Sequence, residues 1–125
     1  MMRKVLLILL LVIGQVAHAD LLNEVRGHWE GEGTLPSGLK WPIYVEFKTR
    51  SADVYTPDDG CEARWTFESV TENIIRGWEE LTVGADRCYV GLKFVVTRYD
   101  ASRIRVDWFQ MNGMHVGGAL MWRVQ

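Results

Sequence analysis

The chain has 125 residues, of which 14 are basic and 16 are acidic, so its formal net charge is −2. This length can build one packed core but not two. The acidic balance and the lack of a basic run disfavour nucleic acid and anionic membrane surfaces as partners.

The start of the chain has the organisation of a secretory signal peptide. Two basic residues precede an apolar run at 5–13, and Ala-His-Ala at 17–19 forms a small-x-small cleavage site. The apolar run is far shorter than the roughly 20 residues that a bilayer-spanning helix needs. We therefore predict a signal peptide at 1–19 and a single β-domain at 20–125. The mature protein is expected in the periplasm or outside the cell, without membrane insertion.

The first third of the mature chain mixes turns with one clear strand. Residues 20–26 could form a helical turn or a lead-in strand, and the glycine-rich run 27–33 indicates strong bending or close backbone approach. Residues 35–41 carry Pro and Gly and are typical of a loop. Apolar and polar side chains alternate at 43–48, which predicts a strand. The polar stretch 51–60 is predicted to be a connection.

The middle of the chain contains three further strand patterns. In 61–69 and in 88–98, apolar residues alternate with polar or small ones, which is typical of strands with one buried face. Between them, 74–83 is predicted to be a strand, and 84–87 the turn that follows it.

Cys61 and Cys88 are the only cysteines in the sequence, and an oxidising compartment allows a disulfide to persist. In a simple meander, strands that begin at these residues would lie roughly 10 Å apart across the middle strand. A disulfide needs Cα atoms within about 7 Å. Either Cys61 lies in the loop before its strand and meets the 84–87 turn, or the two strands face each other across a closed or double-layered sheet. We predict the bridge in both cases.

The end of the chain is predicted to be a hairpin. Charged and apolar side chains alternate at 103–109, and Asn-Gly at 112–113 is a hairpin signal before a last strand at 115–124. The total is about seven to eight short strands and no long helix. The predicted fold is an all-β, small antiparallel β-barrel, with a β-sandwich as the alternative.

Two registers are possible for this hairpin. A two-residue turn would place Trp108 opposite Gly117, whereas a three-residue loop would place it opposite Gly118. The second register directs Leu120 and Trp122 into the core, and it is the one we prefer.

Tryptophan is the most unusual feature of the composition, with six residues, all after the predicted signal peptide. Trp65 and Trp108 share faces with aliphatic residues and are predicted to be core, and so is Trp122. Other aromatic residues could form a floor for a sugar ring or a flat apolar ligand. The candidate ligand-binding residues are Trp41, Trp78, Tyr44 and Tyr55, with Trp29 as a further member.

No motif for catalysis or metal binding is present in the sequence. His28 and His115 lack metal-ligand spacing, and the acidic stretch 58–62 lacks the regular oxygen spacing of a calcium loop. Glu79 and Glu80 point to opposite faces of their predicted strand, so they do not form an acid/base pair. We predict a protein that is not an enzyme and that has no metal and no cofactor.

The run Gly27-His28-Trp29, followed by successive strands and a late Arg123, resembles the G-x-W opening of lipocalin-type barrels. In that superfamily the tryptophan packs at the closed end of the barrel under an arginine from late in the chain. The resemblance implies that Trp29 and Arg123 form this structural pair.

A second pattern covers about residues 55–123. It is similar to small extracytoplasmic cysteine-pair β-domains of bacteria, some of which occur alone and others outside the membrane on sensor proteins and kinases. The resemblance implies the bridge and the compartment, and it implies no active site. The matching residues are Tyr55, Cys61, Glu80, Gly84, Arg87, Cys88 and Gly91, followed by Gly118-Ala119-Leu120.

These observations predict a non-catalytic binding module that takes a small molecule or glycan on an aromatic surface. The alternative is a protein–protein module that binds an envelope protein, for instance as an inhibitor of a cell-envelope hydrolase. The inserting loop would then be 35–42 or 51–60.

Overall fold

Eight antiparallel strands form a closed barrel in which each strand pairs with its neighbours in the chain and the last strand pairs with the first. The structure is a computed structural model that describes residues 20–125, so the predicted signal peptide lies outside the described residues. The predicted antiparallel barrel is confirmed, and the sandwich alternative is wrong. The elements are α1 (Leu21–Val25), β1 (Gly27–Thr34), β2 (Lys40–Phe47), β3 (Ser51–Thr56), β4 (Cys61–Val70), β5 (Ile74–Val83), β6 (Lys93–Arg98), β7 (Arg103–Phe109) and β8 (His115–Arg123).

The barrel core is built from the alternating side chains of the strands, and aromatic rings fill its centre. Trp65 is 0% exposed and stacks on Phe94 with 4.3 Å between ring centroids. Phe47 and Trp108 contact the edge of the same indole at 5.9 and 6.2 Å. The predicted core positions of Trp65 and Trp108 are thus confirmed.

A helix closes one end of the barrel. The Asp20 side chain caps α1 by accepting a hydrogen bond from the backbone N–H of Asn23. The leucines and the valine of α1 are buried. Trp29 Nε1 donates to the Val25 carbonyl at 2.7 Å, and the Arg123 guanidinium lies 4.7 Å from the Trp29 ring centroid. The Trp29–Arg123 contact that the lipocalin resemblance implies is therefore present. Within residues 20–125, no helix is long and apolar enough to span a membrane.

The stretch predicted to be a polar connection at 51–60 contains strand β3, so that prediction is wrong. The inward residues of this strand are Ala52, Val54 and Thr56, of which only the first two are buried. The outward Asp53 forms ion pairs with Lys48 at 2.6 Å and Arg64 at 3.6 Å. A strand this short, with a threonine among its three inward residues, lacks the apolar alternation that would have identified it.

The last hairpin has the register that we did not prefer, and the predicted core positions of Leu120 and Trp122 are wrong. Trp108 lies opposite Gly117, and Trp122 is 44% exposed. A three-residue loop closes the turn, but it is 111–113, one residue earlier than the loop that would place Trp108 opposite Gly118. A bulge between Trp108 and Phe109 then sets the observed register. A one-residue shift exchanges the inward and outward faces of a strand.

The predicted disulfide between Cys61 and Cys88 is confirmed, with a Cα–Cα distance of 6.7 Å. Cys61 is the first residue of β4, but Cys88 lies in the loop before β6, so the prediction that Cys88 begins a strand is wrong. The bridge ties the long β5–β6 loop to the start of β4. Gly84 has a φ of +94°, and a Cβ there would lie 2.5 Å from Cys61 Sγ. Only glycine therefore fits where the β5–β6 loop passes the disulfide.

Candidate functional site

The end of the barrel opposite α1 is open and holds a cavity of about 600 Å³. Because the strands alternate in direction, this end is formed by the ends of odd-numbered strands, the starts of even-numbered ones, and the loops that join them. Most of the wall is apolar. Its apolar residues include Leu35, Leu39, Trp41, Ile43, Leu81, Leu92, Trp108 and Val116.

Two indoles form one side of this cavity. The Trp41 and Trp108 ring centroids are 6.4 Å apart. Trp41 lies across Gly33 of the neighbouring strand, its register partner, so closely that a Cβ at Gly33 would fall 2.3 Å from the ring. The glycine in β1 therefore gives the indole room to lie flat against the barrel wall. The close backbone approach that the glycine-rich run indicated occurs at Gly31, where a Cβ would fall 2.3 Å from the Leu120 carbonyl oxygen.

Glu79 is the one carboxyl group on the inward face of β5, and it lines the cavity. Its Oε1 accepts hydrogen bonds from Trp65 Nε1 at 2.9 Å and Trp108 Nε1 at 3.2 Å. No residue of 20–125 forms an ion pair with this carboxyl group. Burial raises the pKa of Glu79 above its ordinary value, although the two indole hydrogen bonds act in the opposite direction.

The raised pKa of Glu79 makes the stability of the fold depend on pH in a predictable direction. The folded state favours the protonated carboxyl, so the stabilisation from Glu79 is complete below the ordinary pKa of 4.5 and is lost as the pH rises through the raised value. We expect Glu79→Gln to gain melting temperature relative to the wild type as the pH rises from 4 to 8. An amide oxygen can keep both indole hydrogen bonds.

Thermal melts of both proteins across this pH range measure the difference. Glu80→Gln is the matched control, because Glu80 is the exposed, outward neighbour on the same strand and its substitution should change the melting temperature little. A Glu79→Gln difference that is the same at every pH would contradict the prediction.

The charged residues of the cavity wall are mostly acidic. Asp58, Asp59 and Glu62 lie with Glu79 in the lining, against Lys40 and Arg87. Both cationic side chains have other partners. The Arg87 guanidinium donates to the carbonyls of Asp59 and Gly60 at 2.8 and 3.1 Å, and Lys40 Nζ lies 3.6 Å from a Glu32 carboxylate oxygen.

The four aromatic residues predicted to bind a ligand do not form one surface. Trp41 lines the cavity. Tyr44 and Tyr55 are register partners on the outside of the barrel, where their rings stack with centroids 6.5 Å apart. Trp78 is also outside, 43% exposed, on β5. The structure thus brings Trp41 together with Trp108 and Glu79 instead.

The sequence analysis missed Glu79 as a cavity residue, although a signal was present. Glu79 lies four residues after the buried Ile75 on the same strand. Because alternate side chains of a strand point to the same face, both side chains point inward. Buried indoles also need an acceptor for their Nε1–H groups. Trp65 and Trp108 are both predicted to be core residues, and the acceptor of their Nε1–H groups is the inward-pointing carboxyl group of Glu79.

The histidines lie away from this cavity. His28 Nε2 is 3.6 Å from a Glu46 carboxylate oxygen and His115 Nε2 is 2.8 Å from Asp107 Oδ1, and all these side chains are partly exposed. Among residues 20–125, no three His, Cys, Asp or Glu side chains are grouped as they would be around a metal ion.

The fold and the cavity define a small eight-stranded antiparallel barrel that is closed at one end and open at the other. No protein-family model matches the chain, and no curated protein matches it. Solved structures do match. One of them is a redesigned β-barrel that is 16% identical, with a TM-score of 0.61, over 83% of this chain and 95% of that chain. At this identity the similarity shows the fold alone.

Proposed function

We propose that this protein is a non-catalytic module that binds a small ligand inside the open end of its barrel. The observation that carries the proposal is the cavity of about 600 Å³, with apolar and aromatic walls and one inward carboxyl group. Small-molecule sites are typically concave and mostly apolar, with a few placed polar groups, and have volumes of about 300–1,000 Å³. The cavity has each of these properties.

The proposal includes export to the periplasm or the cell exterior, which the disulfide supports because such bonds persist in oxidising compartments. The Trp29–Arg123 contact at the closed end supports a lipocalin-like arrangement, in which one end is sealed and the other admits the ligand. The protein–protein module predicted as the alternative stays a prediction.

Binding of a neutral apolar dye tests the location of the site. N-phenyl-1-naphthylamine, whose fluorescence rises when it leaves water, is expected to give saturable enhancement with the wild type. Leu81→Trp adds bulk to the cavity wall and should weaken binding by about tenfold, because the indole fills space that the dye needs.

Leu120→Trp is the matched control, since it makes the same change at an outward position of β8. It should leave the dissociation constant within about twofold of the wild type. The proposal is wrong if the dye gives no saturable signal, or if the two variants weaken binding equally.

A further inference from the structure

The hydrogen bonds of Glu79 leave one of its carboxyl oxygens available. Oε1 accepts from both indoles, whereas Oε2 accepts no hydrogen bond from any residue of 20–125. Glu79 lines the cavity, and because no fully buried side-chain oxygen among residues 20–125 lacks a partner, Oε2 is accessible. A donor that reaches Oε2 therefore comes from the cavity.

The environment of Glu79 favours a positively charged donor. Burial removes part of the water around the carboxylate, which is costly unless a counter-charge or further hydrogen bonds replace that water. Neither cation of the cavity wall supplies that charge, because Arg87 donates to the carbonyls of Asp59 and Gly60 and Lys40 pairs with Glu32.

The rest of the wall agrees with a cationic ligand that has an apolar body. The lining carries four carboxyl groups against two cationic side chains, so its charge attracts cations and repels anions. The Trp41 and Trp108 rings, 6.4 Å apart, offer surfaces for an aromatic or aliphatic body and for cation–π contact with an ammonium group.

From this geometry we propose that the ligand is an organic amine with an apolar body, bound with its ammonium group on Oε2 of Glu79. This inference rests on the proposed function and adds the chemical class of the ligand. Glu79 is then the residue that determines specificity. The indoles of Trp65 and Trp108 position its carboxyl group by holding Oε1.

Three probes of matched size test the charge preference at neutral pH by isothermal titration calorimetry: 4-phenylbutylamine, 4-phenylbutan-1-ol and 4-phenylbutyrate. They share a phenyl ring and a similar chain, and they carry a positive, zero and negative charge. We expect the amine to bind at least about tenfold more tightly than the alcohol, and the carboxylate to bind more weakly than either.

The Glu79→Gln variant tests the role of the carboxyl group. It should weaken amine binding by about tenfold or more and leave alcohol binding within about threefold, because only the charge contact is removed. Glu80→Gln is the matched control, since it removes one negative charge from the adjacent outward position. It should leave both affinities nearly unchanged.

The outcomes separate this inference from the proposed function. If the alcohol binds as tightly as the amine, or if Glu79→Gln binds the amine as the wild type does, the inference is wrong and the small-ligand function stands. If none of the three probes binds but the naphthylamine dye does, the inference is again wrong on its own. If neither the dye nor any probe binds, both proposals are wrong.

Discussion

Trp65→Ala is expected to lower the free energy of unfolding by about 3–5 kcal/mol, the usual range for truncating a fully buried tryptophan. The side chain is 0% exposed and contacts Phe94, Phe47 and Trp108 around its ring. Its removal opens a cavity at the centre of the barrel. It also takes away one of the two hydrogen-bond donors to Glu79. Urea denaturation followed by far-UV circular dichroism measures the loss.

Trp78→Ala provides the matched control for this prediction. Trp78 is the same residue type on the outside of β5, 43% exposed, and its truncation should cost less than about 1 kcal/mol. Similar losses for the two variants would show that Trp65 does not hold the centre of the core.

Gly77→Ala is expected to cost about 3 kcal/mol or more, or to prevent folding, although it adds a single methyl group. A Cβ at Gly77 would lie 1.9 Å from the Thr66 carbonyl oxygen and 3.0 Å from Phe94 Cε1. The nearer atom belongs to the backbone of the paired strand β4, so it cannot move without separating the two strands. The measurement is the same denaturation experiment, with expression as soluble protein as a second readout.

A glycine in open space distinguishes this clash from the general cost of replacing glycine. Gly38 has a φ of +90° and no atom within 4 Å of an added Cβ, so Gly38→Ala should cost only about 1 kcal/mol of backbone strain. If Gly77→Ala is no more destabilising than Gly38→Ala, the close packing of β4 on β5 is not a requirement of the fold.

Where strands have large apolar residues on one face, the sequence predicted them well. Strands β4 and β7 alternate strongly, so local sequence is sufficient to predict which of their side chains point inward. Strand β5 alternates less clearly, but it was predicted with its observed bounds, Ile74–Val83, because a turn follows it at 84–87. The bulge that sets the last register was not predictable, because it depends on how β8 fits between β7 and β1 rather than on its own sequence.

The cavity was harder to predict than the fold, for a physical reason. The central layer of the barrel is filled by large rings such as Trp65 and Phe94, whereas inward positions nearer the open end include Gly33, Ala63 and Gly117. Small residues leave space only when several of them meet at the same height in the barrel. That height follows from the stagger of all eight strands, which no single strand pattern contains.

The pairing of β1 with β8 has a consequence for how the chain folds. Every other pairing joins consecutive strands, so β1 to β7 can pair in chain order, but the seam forms only when the final strand joins. Until then the partly folded chain has two unpaired edges, which are templates for association with other chains. Gly31 lies at this seam, where a Cβ would fall 2.3 Å from the Leu120 carbonyl oxygen. Closure of the barrel between β1 and β8 therefore depends on the absence of a side chain at Gly31. We expect a substitution there to slow closure and to prolong the period in which chains can aggregate.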